Sequence, residues 1–117
     1  MIPFNNRFHG HSSLRYVYKN GQVIHARSIT IKTVANSHRK ESRVAVIIGK
    51  KIAKSAVSRN RIRRRVYEYI YTKLPYLNRV YDIVFIVSSS DLLTASHHDM
   101  SEQLDQLFDQ SGILRAS

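Results

Sequence analysis

Apolar and polar side chains alternate through Ser28-Ile29-Thr30-Ile31-Lys32-Thr33-Val34. A period of two predicts a half-buried strand with Ile29, Ile31 and Val34 turned inward. Residues 43–49, Arg43-Val44-Ala45-Val46-Ile47-Ile48-Gly49, are almost continuously apolar, which predicts a second strand, central in its sheet. The polar stretch 36–42 between the two reads as a hairpin-type loop. Asp82-Ile83-Val84-Phe85-Ile86-Val87 predicts another strand, and the pair Val23-Ile24 a further short one.

Helical spacing governs three other stretches. In residues 12–21, Leu14, Val17 and Tyr18 recur on one side, with Ser12 suited to cap the start and Gly21 to a left-handed stop. Residues 56–73 follow a capping Ser55 and place Ile62, Val66, Tyr69, Ile70 and Leu74 on one stripe, ended by Pro75. Residues 96–110 turn Met100, Leu104, Leu107 and Phe108 inward and their acids outward. The order α-β-β-β-α-β-α predicts one α+β domain over residues 1–117, an α-β sandwich whose mixed sheet has about four strands. The strands at 43–49 and 82–87 flank a helix and should run parallel, with the helices against one face.

Composition narrows the chemistry. The 117 residues are 43% hydrophobic and 23% charged, as a packed domain requires. There is no cysteine, which removes disulfides, thiolate metal sites and cysteine nucleophiles. Residues 1–7 lack the apolar region of a secretory signal, and the longest apolar runs are too short to span a bilayer. A cytoplasmic protein without a membrane partner is expected.

Charge changes the picture most. Nineteen Lys and Arg against eight Asp and Glu give +11, unevenly placed. Residues 1–81 hold 18 basic and 2 acidic groups, whereas residues 82–117 hold 1 and 6. Eight of the sixteen residues from Lys50 to Arg65 are basic and none is acidic: Lys50, Lys51, Lys54, Arg59, Arg61, Arg63, Arg64 and Arg65. Like charges at i,i+4 destabilise a helix, and cations in its first turns oppose the macrodipole. A solvated face would mix Glu with Lys. Arginine gives planar, bidentate recognition of phosphate, so the cluster points to a polyanion. The apolar stripe is needed for the core, which disfavours a lipid surface. Zinc spacing, basic-zipper heptads and a helix-turn-helix pair are missing, which favours folded RNA over DNA.

Lys50-Lys51 followed by Ala56-Val57-Ser58-Arg59-Asn60-Arg61-Ile62-Arg63-Arg64 resembles the bacterial ribonuclease P protein family. Asn6-Arg7-Phe8, residues 14–21, Arg43-Val44-Ala45-Val46 and Tyr81-Asp82-Ile83-Val84-Phe85-Ile86 extend the likeness over about residues 6–108. The resemblance implies a protein subunit, in a 1:1 ribonucleoprotein, that assists a catalytic RNA in removing the 5′ leader from precursor tRNA. The chemistry would belong to the RNA and its Mg²⁺, with no catalytic residue and no metal site on the protein. It also implies a left-handed crossover around the basic helix. Carried across, the RNA-docking residues are Lys50, Lys51, Lys54, Arg59, Asn60, Arg61, Arg63 and Arg64, with Arg65 added on charge alone. The implied leader cleft holds Leu14, Tyr18 and Lys32. Here the chain departs from the family, which usually carries Phe at Leu14 and an aromatic residue at Lys32.

Two other readings are open at this point: a ribosomal-RNA-binding structural protein, and an autonomous nuclease, which would need clustered carboxylates. Weaker signals stay bland. His97-His98-Asp99 lacks the spacing of a metal site, and Ser88-Ser89-Ser90 lacks the glycines of a nucleophile elbow. His9, His11, His25 and His38 stand singly in expected loops. Tyr69 is expected in the core, while Tyr67 and Tyr71 suit either a stacking surface or a second packing face.

Overall fold

The computed structural model describes residues 6–8 and 12–115; His9 and His11 lie outside them. The chain runs α1 (Ser12–Asn20), β1 (Gln22–His25), β2 (Ile29–Ala35), β3 (Arg43–Ile48), α2 (Ala56–Lys73), β4 (Tyr81–Val87) and α3 (His97–Ser111). Single-turn 3-10 helices cover Leu74–Tyr76 and Ser90–Leu93. The sheet order is β1-β2-β4-β3, with β3 parallel to β4 and the other pairs antiparallel.

Strand parity divides the molecule into layers. Ile29 and Ile31, Val44, Val46 and Ile48, and Ile83, Phe85 and Val87 share one face and form the core with α2 and α3. From α2 come Ile62, Val66 and Ile70, each fully buried, and from α3 come Met100, Leu104, Leu107 and Phe108. Each such side chain contributes roughly 1.5–3 kcal/mol through burial. Tyr69 and Leu74 complete the stripe only half-buried. Thr33, rather than Val34, shares the parity of Ile31 and is buried, so the inward placement expected for Val34 is corrected.

The helices do not all pack on one face, contrary to the expectation from the sequence. Val17 of α1 and Val84 of β4 are both fully buried yet lie outside the main core cluster. Val84 pairs with Lys32, on the face opposite Ile31. α1 therefore covers the second face of the sheet, because periodicity shows which side of a helix is apolar but not which layer it joins.

β3 is an edge strand, not a central one. The stretch 36–42 joins β2 to β3 without making them a hairpin, since β4 lies between them. Its apolar run puts Val44, Val46 and Ile48 in the core and Ala45 and Ile47 half-buried on the opposite face, while its outer edge is covered. Val44 bridges to Arg7, the Val46 carbonyl accepts from Arg63 Nε at 3.4 Å, and the Tyr67 hydroxyl hydrogen-bonds the Val46 backbone. Side chains of α2 thus occupy edge groups that would otherwise invite pairing.

Caps follow the sequence closely. Ser55 and Ser96 stay extended, and their hydroxyls accept the amides of Ser58 and Asp99, each at 3.0 Å. Gly112 closes α3 at φ 68°, a left-handed stop. Gly21 has no such angle. A Cβ there would lie 2.6 Å from the Val17 carbonyl oxygen and 3.2 Å from that of Thr33, so the turn back onto the last carbonyls of α1 demands the glycine and β2 tightens the fit.

Candidate nucleic-acid interface

The Gly49 to Ser55 turn leaves the end of β3 and delivers the chain into α2. Lys50, Lys51 and Lys54 stand exposed on it, while Ala53 is buried and anchors it to the core. On α2, one turn on from the cap, Asn60, Arg61 and Arg64 are exposed. Arg61 and Arg64 project opposite the buried stripe and make no hydrogen bond or ion pair among the described residues. Glu68, the single acid of α2, pairs with neither.

The remaining arginines serve the fold as well as the surface. Arg59 Nη1 donates to the carbonyls of Ala53 and Lys54 at 2.8 and 2.9 Å, clamping the lysine turn onto the helix. Arg63 reaches over the sheet edge to Val46 and donates through Nη1 to Asn60 Oδ1 at 2.9 Å. Arg65, chosen on charge alone, donates to the carbonyls of Leu92 and Ala95 at 2.8 and 2.7 Å. It ties α2 to the segment entering α3 and stands apart from the exposed group. Nothing in a local sequence window locates those carbonyls, so this use was not legible.

The result is a surface with a high positive potential and nothing to neutralise it internally. Its donors are guanidinium, ammonium and amide groups. Such a set suits phosphate and repels a divalent cation, so the cluster does not fit Mg²⁺. Among the described residues, no three His, Asp or Glu side chains converge where they could hold a metal ion.

The second group of candidates sits on the other face of the sheet. Ser12, Ser13 and Tyr16 border a pocket with Asn36, Arg43 and Asp82, and the far end of α1 abuts Thr33. α1 therefore crosses only the end of the sheet where β2 finishes and β3 and β4 begin. Beyond it, Ala45, Ile47 and Ile86 remain half-buried on an open face. Of the three residues expected in a leader cleft, Tyr18 of α1 and Lys32 of β2 lie together on this face and Leu14 lies one turn back along α1; only Tyr18 is aromatic. Lys32 Nζ lies 4.6 Å from the centre of the Tyr18 ring and 3.4 Å from the Tyr18 carbonyl oxygen. An exposed contact of this kind is worth about 0.5–1 kcal/mol. Partial burial also raises the Tyr18 hydroxyl above the usual tyrosine range, so the ring is neutral at physiological pH.

A buried ion pair that sequence reasoning missed fixes this end of the sheet. Arg43 and Asp82 sit side by side on β3 and β4, joined by Nε–Oδ1 and Nη2–Oδ2 contacts of 2.9 and 2.7 Å. Asn36 Nδ2 donates to the same carboxylate at 2.9 Å, and Phe8 lies 4.8 Å from the guanidinium. The signal was present in a charged residue opening each of two otherwise apolar strands.

The acidic residues gather elsewhere. Asp99, Glu102, Asp105 and Asp109 of α3 line a groove of about 970 Å³ that they share with Arg27, Lys73 and Arg115. Tyr69 donates to Asp105 at one margin of this region, and Lys73 pairs with the same carboxylate at 3.7 Å. Burial, the hydrogen bond and the charge of Asp105 push the Tyr69 hydroxyl up to about 12. Neither Tyr67 nor Tyr69 offers a free ring, whereas Tyr71 is 51% exposed. The serine triplet is also explained: Ser89 accepts the Asp91 amide at 3.2 Å and caps the 3-10 turn.

Comparison with known proteins agrees with this geometry. The family model described as Ribonuclease P matches residues 2–112. A ribonuclease P protein component of Prochlorococcus marinus is 33% identical over 88 residues, 66% of this chain and 69% of the relative. One from Chloroflexus aggregans is 32% identical over 109 residues, 93% of this chain and 79% of the relative. The solved RNase P protein of Staphylococcus aureus superposes with a TM-score of 0.82 at 19% identity, covering 94% of this chain and 98% of that one, and so shares the fold. With its lysine turn, its Arg-Asn-Arg helix start and this α+β architecture, the chain belongs to the ribonuclease P protein family.

Proposed function

We infer that this chain is the RNA-binding subunit of a ribonucleoprotein endonuclease that matures tRNA. It docks on a catalytic RNA through Lys50, Lys51, Lys54, Asn60, Arg61 and Arg64, with Arg59 and Arg63 shaping and extending the same surface. The cleft between α1 and the open half of the sheet receives the 5′ leader of precursor tRNA. Hydrolysis and the Mg²⁺ it requires are assigned to the RNA. The partnership is 1:1, and the site of action is the cytoplasm.

The observation that carries this reading is the acid-free basic surface, solvent-exposed and unpaired, in a chain of this family. It also gives the subunit its role. Neutralising phosphates where RNA and substrate approach each other lowers their mutual repulsion, so less free Mg²⁺ is needed to bring them together.

The test is a binding competition. The full chain is titrated with the ribonuclease P RNA and, separately, with ribosomal RNA from the same organism, both at physiological salt. Markedly tighter binding to the ribonuclease P RNA is expected. Equal affinity, or a preference for ribosomal RNA, would favour a structural ribosomal role instead.

A further inference from the structure

We propose that this chain holds the leader strand by its phosphate backbone, through Lys32, and is largely indifferent to its bases. The proposal rests on the leader-cleft reading above and deepens it by naming what the cleft recognises.

A cleft that reads single-stranded RNA by stacking needs free aromatic faces. This one has a single candidate ring. Tyr18 is 40% exposed, but Lys32 Nζ stands 4.6 Å from its ring centre, over the face a base would otherwise use. Leu14 offers no π surface, and the open sheet beyond it presents the aliphatic Ala45, Ile47 and Ile86. An entering base would have to displace an ammonium group from its ring and from the Tyr18 carbonyl.

The same ammonium is well prepared for an anion. It has no carboxylate partner among the described residues, and its one hydrogen bond, to the Tyr18 carbonyl, is long at 3.4 Å. An ammonium group has three donors, so two are left for a ligand. The ring beneath restrains the side chain, so less conformational entropy is lost when a phosphate oxygen binds. The neighbouring strands add no competing polar group at that level, since the cross-strand partners of Lys32 are Val23 and Val84. A charge-assisted hydrogen bond to phosphate is stronger than the cation–π contact it supplements.

The experiment uses the reconstituted ribonucleoprotein and precursor tRNAs carrying synthetic leaders, with leaderless tRNA as the reference. One series removes bases along the leader; the other replaces single phosphates with neutral methylphosphonates. A stacked base would be worth roughly fivefold or more in affinity, and abasic leaders are expected to lose less than this. One neutral linkage should instead cost roughly tenfold. In the Lys32→Ala protein that linkage should no longer matter, and the salt slope of the leader-dependent affinity should fall by about 0.7. Uncovering the Tyr18 ring should also make the variant sensitive to base removal, while Lys32→Arg retains the phosphate effect. Base loss that abolishes the leader's contribution in the unaltered protein, or an unchanged phosphate effect in Lys32→Ala, would overturn the proposal. A leader that adds nothing to affinity, even in the unaltered ribonucleoprotein, would overturn the leader-cleft reading itself.

Discussion

At the scale of single residues, the basic side chains between Lys50 and Arg65 differ in what they hold. Arg61 and Arg64 have no partner within the described fold. Changing both to Ala should leave the melting curve unaltered and weaken binding to the catalytic RNA, lowering the salt slope by about 0.7–0.9 for each phosphate no longer neutralised. Arg65 behaves oppositely. Its two hydrogen bonds to backbone carbonyls bind α2 to the approach of α3, so Arg65→Ala should destabilise the chain by about 1–3 kcal/mol in urea unfolding. Tyr69 supplies a pH signature. Its folded hydroxyl titrates near 12, above the unfolded 10.0, because burial and Asp105 favour the protonated form. The stability this brings is intact below pH 10 and declines as pH rises from there toward 12. Denaturation midpoints across that window should show the decline, and Tyr69→Phe should remove its share of it. The sequence made the positive cluster plain, but not which arginines turn inward. That depends on where the carbonyls at 53–54 and 92–95 pass, a matter of tertiary path alone.

At the scale of elements, α2 stands on three fully buried side chains, Ile62, Val66 and Ile70. Ile62→Ala should cost about 2–5 kcal/mol by leaving a cavity against the sheet, and Ile62→Asp should prevent folding, as thermal melts would show. Such helices were legible because caps and stripe are both local: Ser55, Ser96 and the helical spacing act within a few residues of one another. Glycine was less transparent. The sequence suggested a left-handed stop at Gly21, whereas that geometry belongs to Gly112, and Gly21 is required by the closeness of the Val17 carbonyl. Strand order was hidden for a similar reason. A continuous apolar run reads alike for a central strand and for an edge strand covered by Tyr67, Arg63 and Arg7, and only the fold distinguishes β3 from β4.

At the scale of the whole molecule, charge and layers are arranged together. The basic turn and α2 start lie at the β3 edge, the proposed leader cleft is on the α1 face, and the acids of α3 line a different groove. The strong charge asymmetry between residues 1–81 and 82–117 was visible in the sequence, although the acids of α3 share their groove with Arg27, Lys73 and Arg115. The cleft was less legible, because it exists only where α1 stops short of covering the sheet. Neutralising roughly 5–8 phosphates, the complex should weaken steeply as salt rises. The most direct test of a subunit that grips RNA and leaves the chemistry to it is precursor tRNA cleavage at low Mg²⁺. The protein alone, the catalytic RNA alone and the two together are compared. Cleavage by the combination, with none by the protein and little by the RNA, is the predicted result. Cleavage by the protein without RNA, or no gain over RNA alone when the two are joined, would contradict it.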